Sequence, residues 1–99
     1  MKVVFSPGSE RDLEQIADHI AKDNPHRALS FVRELRAAAH ALKQDPESRP
    51  RANFDPRIRR SVHGVYNLYY AVLPGELRFL AIIHGSRADD ALLFDLVKR

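Results

Sequence analysis

The sequence predicts an α+β fold: an N-terminal strand, then a helical hairpin packed on an antiparallel three- to four-stranded sheet, then a short C-terminal element. Three observations predict it. Apolar residues recur at helical spacing between residues 13 and 42. Beyond residue 56 come three strand-like runs, separated by Gly64 and by Pro74-Gly75. Between the two halves, ESRPRANFDP (47–56) carries two prolines and scattered polar residues and reads as a loop. The 99 residues suffice for one compact domain and not comfortably for two, so residues 1–99 are taken as a single domain.

Taken in order, KVVF (2–5) is a short β-branched strand. Ser6-Pro7 supplies an N-cap followed by a proline at the first helical position, with Ser9 as an alternative cap. Leu13, Ile16, Ala17 and Ile20 then form one apolar stripe opposite a charged face. Asn24-Pro25 repeats the cap-and-proline signal, and proline disfavours helix in the residue before it, so the first helix ends near Lys22-Asp23. The second helix carries its stripe from Ala28 through Phe31, Val32 and Leu35 to Leu42 and stops before Pro46.

In the second half, Ile58, Arg60 and Val62 share one face of a strand. Tyr66, Leu68, Tyr70 and Val72 share a face of the next, alternating with Asn67, Tyr69 and Ala71. Leu77–Ile83 is apolar except at Arg78, the pattern of a central strand covered on both faces. Short connections imply an antiparallel meander. The tail DDALLFDLVKR suits a short helix capped by Asp89 or Asp90 through Leu92, Leu93 and Leu96, or a strand through Leu92, Phe94 and Leu96; the helix is preferred.

Composition narrows function. There is no cysteine, which removes disulfides, thiolate metal sites and thiol nucleophiles. The N-terminus has only a three-residue apolar run before Ser6-Pro7, unlike a signal peptide, and no stretch approaches the ~18 apolar residues of a membrane span. A soluble cytoplasmic protein without cofactor or metal is expected. The net charge of +3 conceals a skew: arginine outnumbers lysine twelve to four, and Arg49, Arg51, Arg57, Arg59 and Arg60 lie close together. A cluster of planar, permanently charged forks suits an anionic partner, nucleic acid or an acidic protein segment; a solvated basic loop is the plainer alternative.

The order of several pieces carries a family likeness. RDLEQI (11–16), DNPHRA (23–28) with Phe31 and Leu35, LKQDP (42–46), VYNLYYAV (65–72) with its paired Tyr66 and Tyr70, and IIHGSR (83–87) together resemble the ParE/RelE superfamily of bacterial toxins from type II toxin–antitoxin pairs, the ParE branch most closely. Ser9 stands where alanine is usual and Asn67 where arginine is common. The resemblance implies a toxin that poisons DNA gyrase on cleaved DNA and is neutralised by a ParD-like antitoxin in a hetero-oligomer, with no catalytic step of its own. For target or antitoxin binding the candidates are Arg49, Arg51, Arg57, Arg59, Arg60, Tyr69 and Arg87.

RelE-like relatives imply a different activity, ribosome-dependent mRNA cleavage, for which His84 and Arg87 would be the catalytic pair. Such chemistry needs a positioned acid and base with cations around the scissile phosphate. The segment after Arg87 contains no tyrosine or histidine and brings three aspartates, which is unfavourable beside a phosphate. A histidine at a strand end is more often structural than catalytic, and His63 would join His84 only if the strands align. A toxin-fold protein that survives as an inactive binding module is the third reading. Tyr66 and Tyr70 share a face with Leu68 and Val72 and are assigned to the core, leaving Tyr69 as the freer candidate for a surface role.

Overall fold

A computed structural model describes residues 1–98. The chain runs β1 (Lys2–Phe5), α1 (Pro7–Ala21), α2 (Pro25–Ala41), a single 3₁₀ turn, β2 (Arg51–Ala52), β3 (Asp55–His63), β4 (Tyr66–Leu73), β5 (Glu76–His84), a second 3₁₀ turn and α3 (Asp90–Leu96). The expected helix starts are present with their chemistry. Ser6 Oγ accepts the Ser9 N–H at 3.1 Å and Asn24 Oδ1 accepts the Arg27 N–H at 3.0 Å, each just before a proline at the helix start. The C-terminal segment is helical, and Asp89 caps it by accepting the Leu92 N–H at 2.8 Å.

The sheet differs from expectation in size and in one pairing. It has five strands in the order β1-β5-β4-β3-β2. β1 pairs parallel with β5, from Lys2 opposite Glu76 to Phe5 opposite Phe79; the other pairings are antiparallel. The fifth strand is β2, two residues of the segment expected to be loop, held by Arg51 opposite Arg59 and Ala52 opposite Asp55. The middle of the sheet is therefore β4, with β5 interior beside it. Gly64 (φ 59°) and Gly75 (φ 73°) sit in the two tight turns, where a side chain would be strained.

A bulge in β5 decides which side chains reach which face. Tyr69 lies opposite Ala81 and Tyr70 opposite Phe79, so Leu80 is the extra residue. Leu77, Phe79 and Ile82 consequently face α1 and α2, while Leu80, Ala81 and Ile83 join the cluster on the other side. The start of α1 satisfies the backbone freed there. The Ser6 N–H donates to the Phe79 carbonyl at 2.9 Å, Ser6 Oγ donates to the Leu80 carbonyl at 3.3 Å, and Asp12 Oδ2 accepts the Ile82 N–H at 2.9 Å.

The helical hairpin covers the larger core. Leu35 and Ala39 of α2 and Leu13 of α1 close over Leu68, Tyr70 and Phe79. Tyr70 is fully buried, and its hydroxyl donates to the Pro46 carbonyl at 2.7 Å. Arg36 fastens the outer seam: its guanidinium donates to both Glu10 oxygens at 3.0 and 2.9 Å and lies over the Phe5 ring. The opposite face carries a smaller cluster of Ile58, Tyr69 and Ala81, covered by Leu93 of α3 and by Phe54. Among the described residues no helix is long and apolar enough to cross a membrane.

Candidate functional site

Alternation along β3 divides the arginines that lie together in sequence. Ile58 belongs to the α3-side cluster, so Arg60 faces that side, while Arg57 and Arg59 face the side of the helical hairpin. Arg57 is held by Asp55, donating from Nη2 at 2.8 Å and from Nε at 3.1 Å; these hydrogen bonds pull the Asp55 carboxyl down to about 2. Arg59 Nη1 donates to the Arg49 carbonyl at 2.7 Å. Burial pushes the Tyr70 phenol above its ordinary value, and the nearby Arg59 and Arg49 charges partly oppose that rise.

Arg60 instead joins Arg51 on a cleft of about 360 Å³ beside α3, whose wall includes Asn67, Tyr69, Gly85 and Asp90. Both guanidinium groups are exposed, and neither forms an ion pair among the described residues. Tyr69 does not stand free at the surface, which corrects the sequence expectation. It is 3% exposed, Phe54 packs its edge against the ring, and the hydroxyl accepts from Asn67 Nδ2 at 3.1 Å. Its cover comes from the aperiodic 47–56 segment and from α3, so the alternation of β4 alone did not reveal it.

Arg87 and His84 share a second cleft, of about 420 Å³, between α1 and α3 at the end of β5. His84 Nδ1 accepts the Ser86 N–H at 3.1 Å and lies 2.8 Å from Ser86 Oγ. With Nδ1 serving as acceptor, the neutral ring carries its proton on Nε2 and presents a donor there. His63 does not join His84. Both lie opposite Tyr66, one on β3 and one on β5, so Tyr66 stands between them. His63 turns to α2, where Phe31 packs at 5.8 Å and Glu34 Oε1 lies 3.5 Å from Nε2; Glu34 is also held by Arg27. The guanidinium of Arg27 holds the Glu34 carboxyl below the usual carboxylate range.

The sequence reading overlooked Asp12 and Gln15 as cleft residues. Asp12 left a signal, since it sits beside Leu13 and Ile16 on the buried face of α1, where an ionisable group needs a partner. Gln15 left none.

The chain is similar to known proteins in two respects. The family described as "ParE toxin of type II toxin-antitoxin system, parDE" matches residues 3–89, a span that ends just before α3. A solved chain described as "Chromosomal ParDE TA system from P. aeruginosa" superposes with a TM-score of 0.73 at 22% sequence identity, over 85% of this chain and 95% of that one. No curated protein sequence matches.

Proposed function

The chain belongs to the family of ParE toxins of type II toxin–antitoxin systems, and on that premise we propose that it poisons DNA gyrase and is neutralised by a ParD-like antitoxin in the cytoplasm. The proposal makes it a binding inhibitor and not an enzyme. The observation that carries this reading is the division of exposed cations. Arg51 and Arg60 border one cleft and Arg87 another, while Arg59 and Arg57 face the opposite side of the sheet. Surfaces that hold DNA or acidic protein need cations spread over an area; phosphodiester cleavage needs them converged on one phosphate.

Purified toxin is expected to inhibit supercoiling by gyrase and to accumulate cleaved DNA. Full gyrase activity at saturating toxin overturns the proposal. Arg60→Glu and Arg59→Glu, made singly, are expected to weaken binding to gyrase–DNA or to antitoxin with little change in thermal midpoint, because both side chains reach solvent. The enzymatic alternative has one observation in its favour, that His84 and Arg87 line the same cleft. Cleavage of mRNA on translating ribosomes, abolished by His84→Ala, would establish it instead.

A further inference from the structure

We propose that the cleft bordered by Arg51 and Arg60 is a binding site for a ribonucleoside monophosphate. The site stands apart from the toxin reading, because it is complete within this chain and needs no protein partner.

The backbone sets its two cations side by side. The Arg60 N–H donates to the Pro50 carbonyl at 3.0 Å, which ties the residue before Arg51 to β3. Both arginines are exposed and border the cleft, and neither forms an ion pair among the described residues. Each guanidinium presents a fork of donors that matches the oxygens of a phosphate, and two forks suit a dianion.

The inner wall adds neutral polar groups. Tyr69 is 3% and Asn67 9% exposed, yet both line the cleft. The Tyr69 hydroxyl accepts from Asn67 Nδ2 at 3.1 Å, which leaves its own proton to donate and Asn67 Oδ1 to accept. Among the described residues neither of these capacities is used. Polar groups so deep are ordinarily paired, so the cleft offers a donor and an acceptor to a molecule that carries both.

Asp90 points to the sugar. It is exposed, lines the same cleft and forms no ion pair among the described residues. A carboxylate repels a second anion but accepts hydrogen bonds from hydroxyls, as acidic residues do toward the ribose of bound nucleotides. A phosphate for the guanidinium pair and hydroxyls for Asp90 occur together in a ribonucleotide. Half-buried Phe54 and Ala88, with Pro50, give the base an apolar wall. The volume of about 360 Å³ lies in the ~300–1,000 Å³ range of small-molecule sites.

Other anions fit less well. An acidic peptide brings further carboxylates to Asp90 and no hydroxyl to satisfy it. A continuous nucleic-acid strand would meet only these two guanidinium groups, since Arg57 and Arg59 face the opposite side of the sheet, whereas a phosphate backbone is held by cations along its length. The assignment is to binding, with no chemical step.

The test titrates the full chain with AMP, CMP, GMP and UMP, followed by calorimetry and NMR. At least one is expected to bind saturably and to shift resonances of Asn67, Gly85 and Leu93. For that nucleotide, the nucleoside without phosphate and the deoxyribose counterpart are each expected to bind on the order of tenfold more weakly. Arg60→Gln is expected to weaken binding by a similar factor and Tyr69→Phe by about fivefold. Arg87→Gln, in the other cleft, is expected to leave it unchanged. Circular dichroism checks that each variant keeps the native fold, and exposed Arg60 is replaceable without loss of packing.

No saturable binding of any of the four overturns the assignment, as does equal binding of the nucleoside or of inorganic phosphate. Tighter binding of an oligo-U or oligo-dT strand would assign the cleft to a nucleic-acid chain instead. Loss of binding in Arg87→Gln but not in Arg60→Gln would move the site to the α1–α3 cleft. Gyrase inhibition is scored separately, so failure of nucleotide binding leaves the gyrase reading standing, and absence of gyrase inhibition leaves this site standing.

Discussion

The two faces of the sheet are closed in different ways. Toward α1 and α2, two long capped helices bury Tyr70, Phe79, Leu68 and Leu35 in a continuous core. Toward α3, one seven-residue helix and Phe54 cover Ile58, Tyr69 and Ala81. Both clefts are bordered by α3, and the second is walled on its other side by α1. Most of the burial that holds the fold therefore lies on one side of the sheet, and the concave surface lies at the edge of α3. The hairpin side stores most of the buried apolar area, while the α3 side leaves concave surface next to exposed cations.

The largest expected effect tests where stability resides. Phe79 is fully buried, stacks on Phe5 at 5.2 Å and contacts Tyr70 at 5.3 Å. Phe79→Ala is expected to cost about 3–5 kcal/mol in urea unfolding, enough to leave much of the chain unfolded. A loss under about 1 kcal/mol would mean that the hairpin face is not the main core.

Leu93→Ala probes the other face. Leu93 is 2% exposed, but the helix carrying it is short and open to solvent on its far side, so the site can collapse more easily. A loss of about 2 kcal/mol is expected, the low end for a buried leucine. Hydrogen exchange sharpens the contrast: α3 amides should lose protection in this variant well before those of β4 and β5. Uniform loss across both faces would show that they unfold as one unit.

The seam between helix and sheet gives a smaller effect. Asp12→Ala removes the acceptor of the Ile82 N–H beside the β5 bulge, at an expected cost of about 1–2 kcal/mol. Asp12→Asn keeps an acceptor oxygen and should recover part of the loss. Equal stability of the two variants would mean that the bulge does not depend on this hydrogen bond.

Local chemistry made one face legible in the sequence and left the other obscure. Ser6-Pro7 and Asn24-Pro25 announce their caps in adjacent residues, and the helical stripes point to the hairpin side. Tyr66 and Tyr70 fall into the core by simple alternation. The α3 face depends on contacts that no short period records. Tyr69 is buried because Phe54 and Leu93 arrive from distant segments, and the bulge at Leu80 shifts the alternation of β5 for every residue beyond it. The arginines resembled one patch because they are adjacent in sequence. On a strand, adjacency means opposite faces, so Arg59 and Arg60 part; Arg51 of β2 is paired with Arg59 yet also borders the cleft of Arg60, next to the irregularity between Arg51 and Ala52. The separation of His63 from His84 needed the register through Tyr66, which sequence pattern alone does not set.

The smallest expected effect lies on the outer rim of the stable face, and pH isolates it. Hydrogen bonds from Arg36 hold the Glu10 carboxyl below its ordinary value, so the folded state binds that proton less readily than the unfolded chain. The resulting stabilisation is fully present above the unfolded carboxyl pKa, about 4.3, and is lost as pH falls through the lower folded value. Side-chain exposures of 41% and 44% mean solvent screens the pair, which keeps its contribution under about 1 kcal/mol near neutral pH. Arg36→Gln also removes the guanidinium from the Phe5 ring, a loss that does not titrate. The stability gap between the native chain and Arg36→Gln should therefore narrow, without closing, as pH is lowered from about 6 to about 3 in urea titrations. Glu10→Gln should show a gap that narrows in the same way, because the proton-linked part belongs to the carboxylate. If the Arg36→Gln gap is unchanged over that range, Arg36 holds the hairpin to β1 by packing on Phe5 alone.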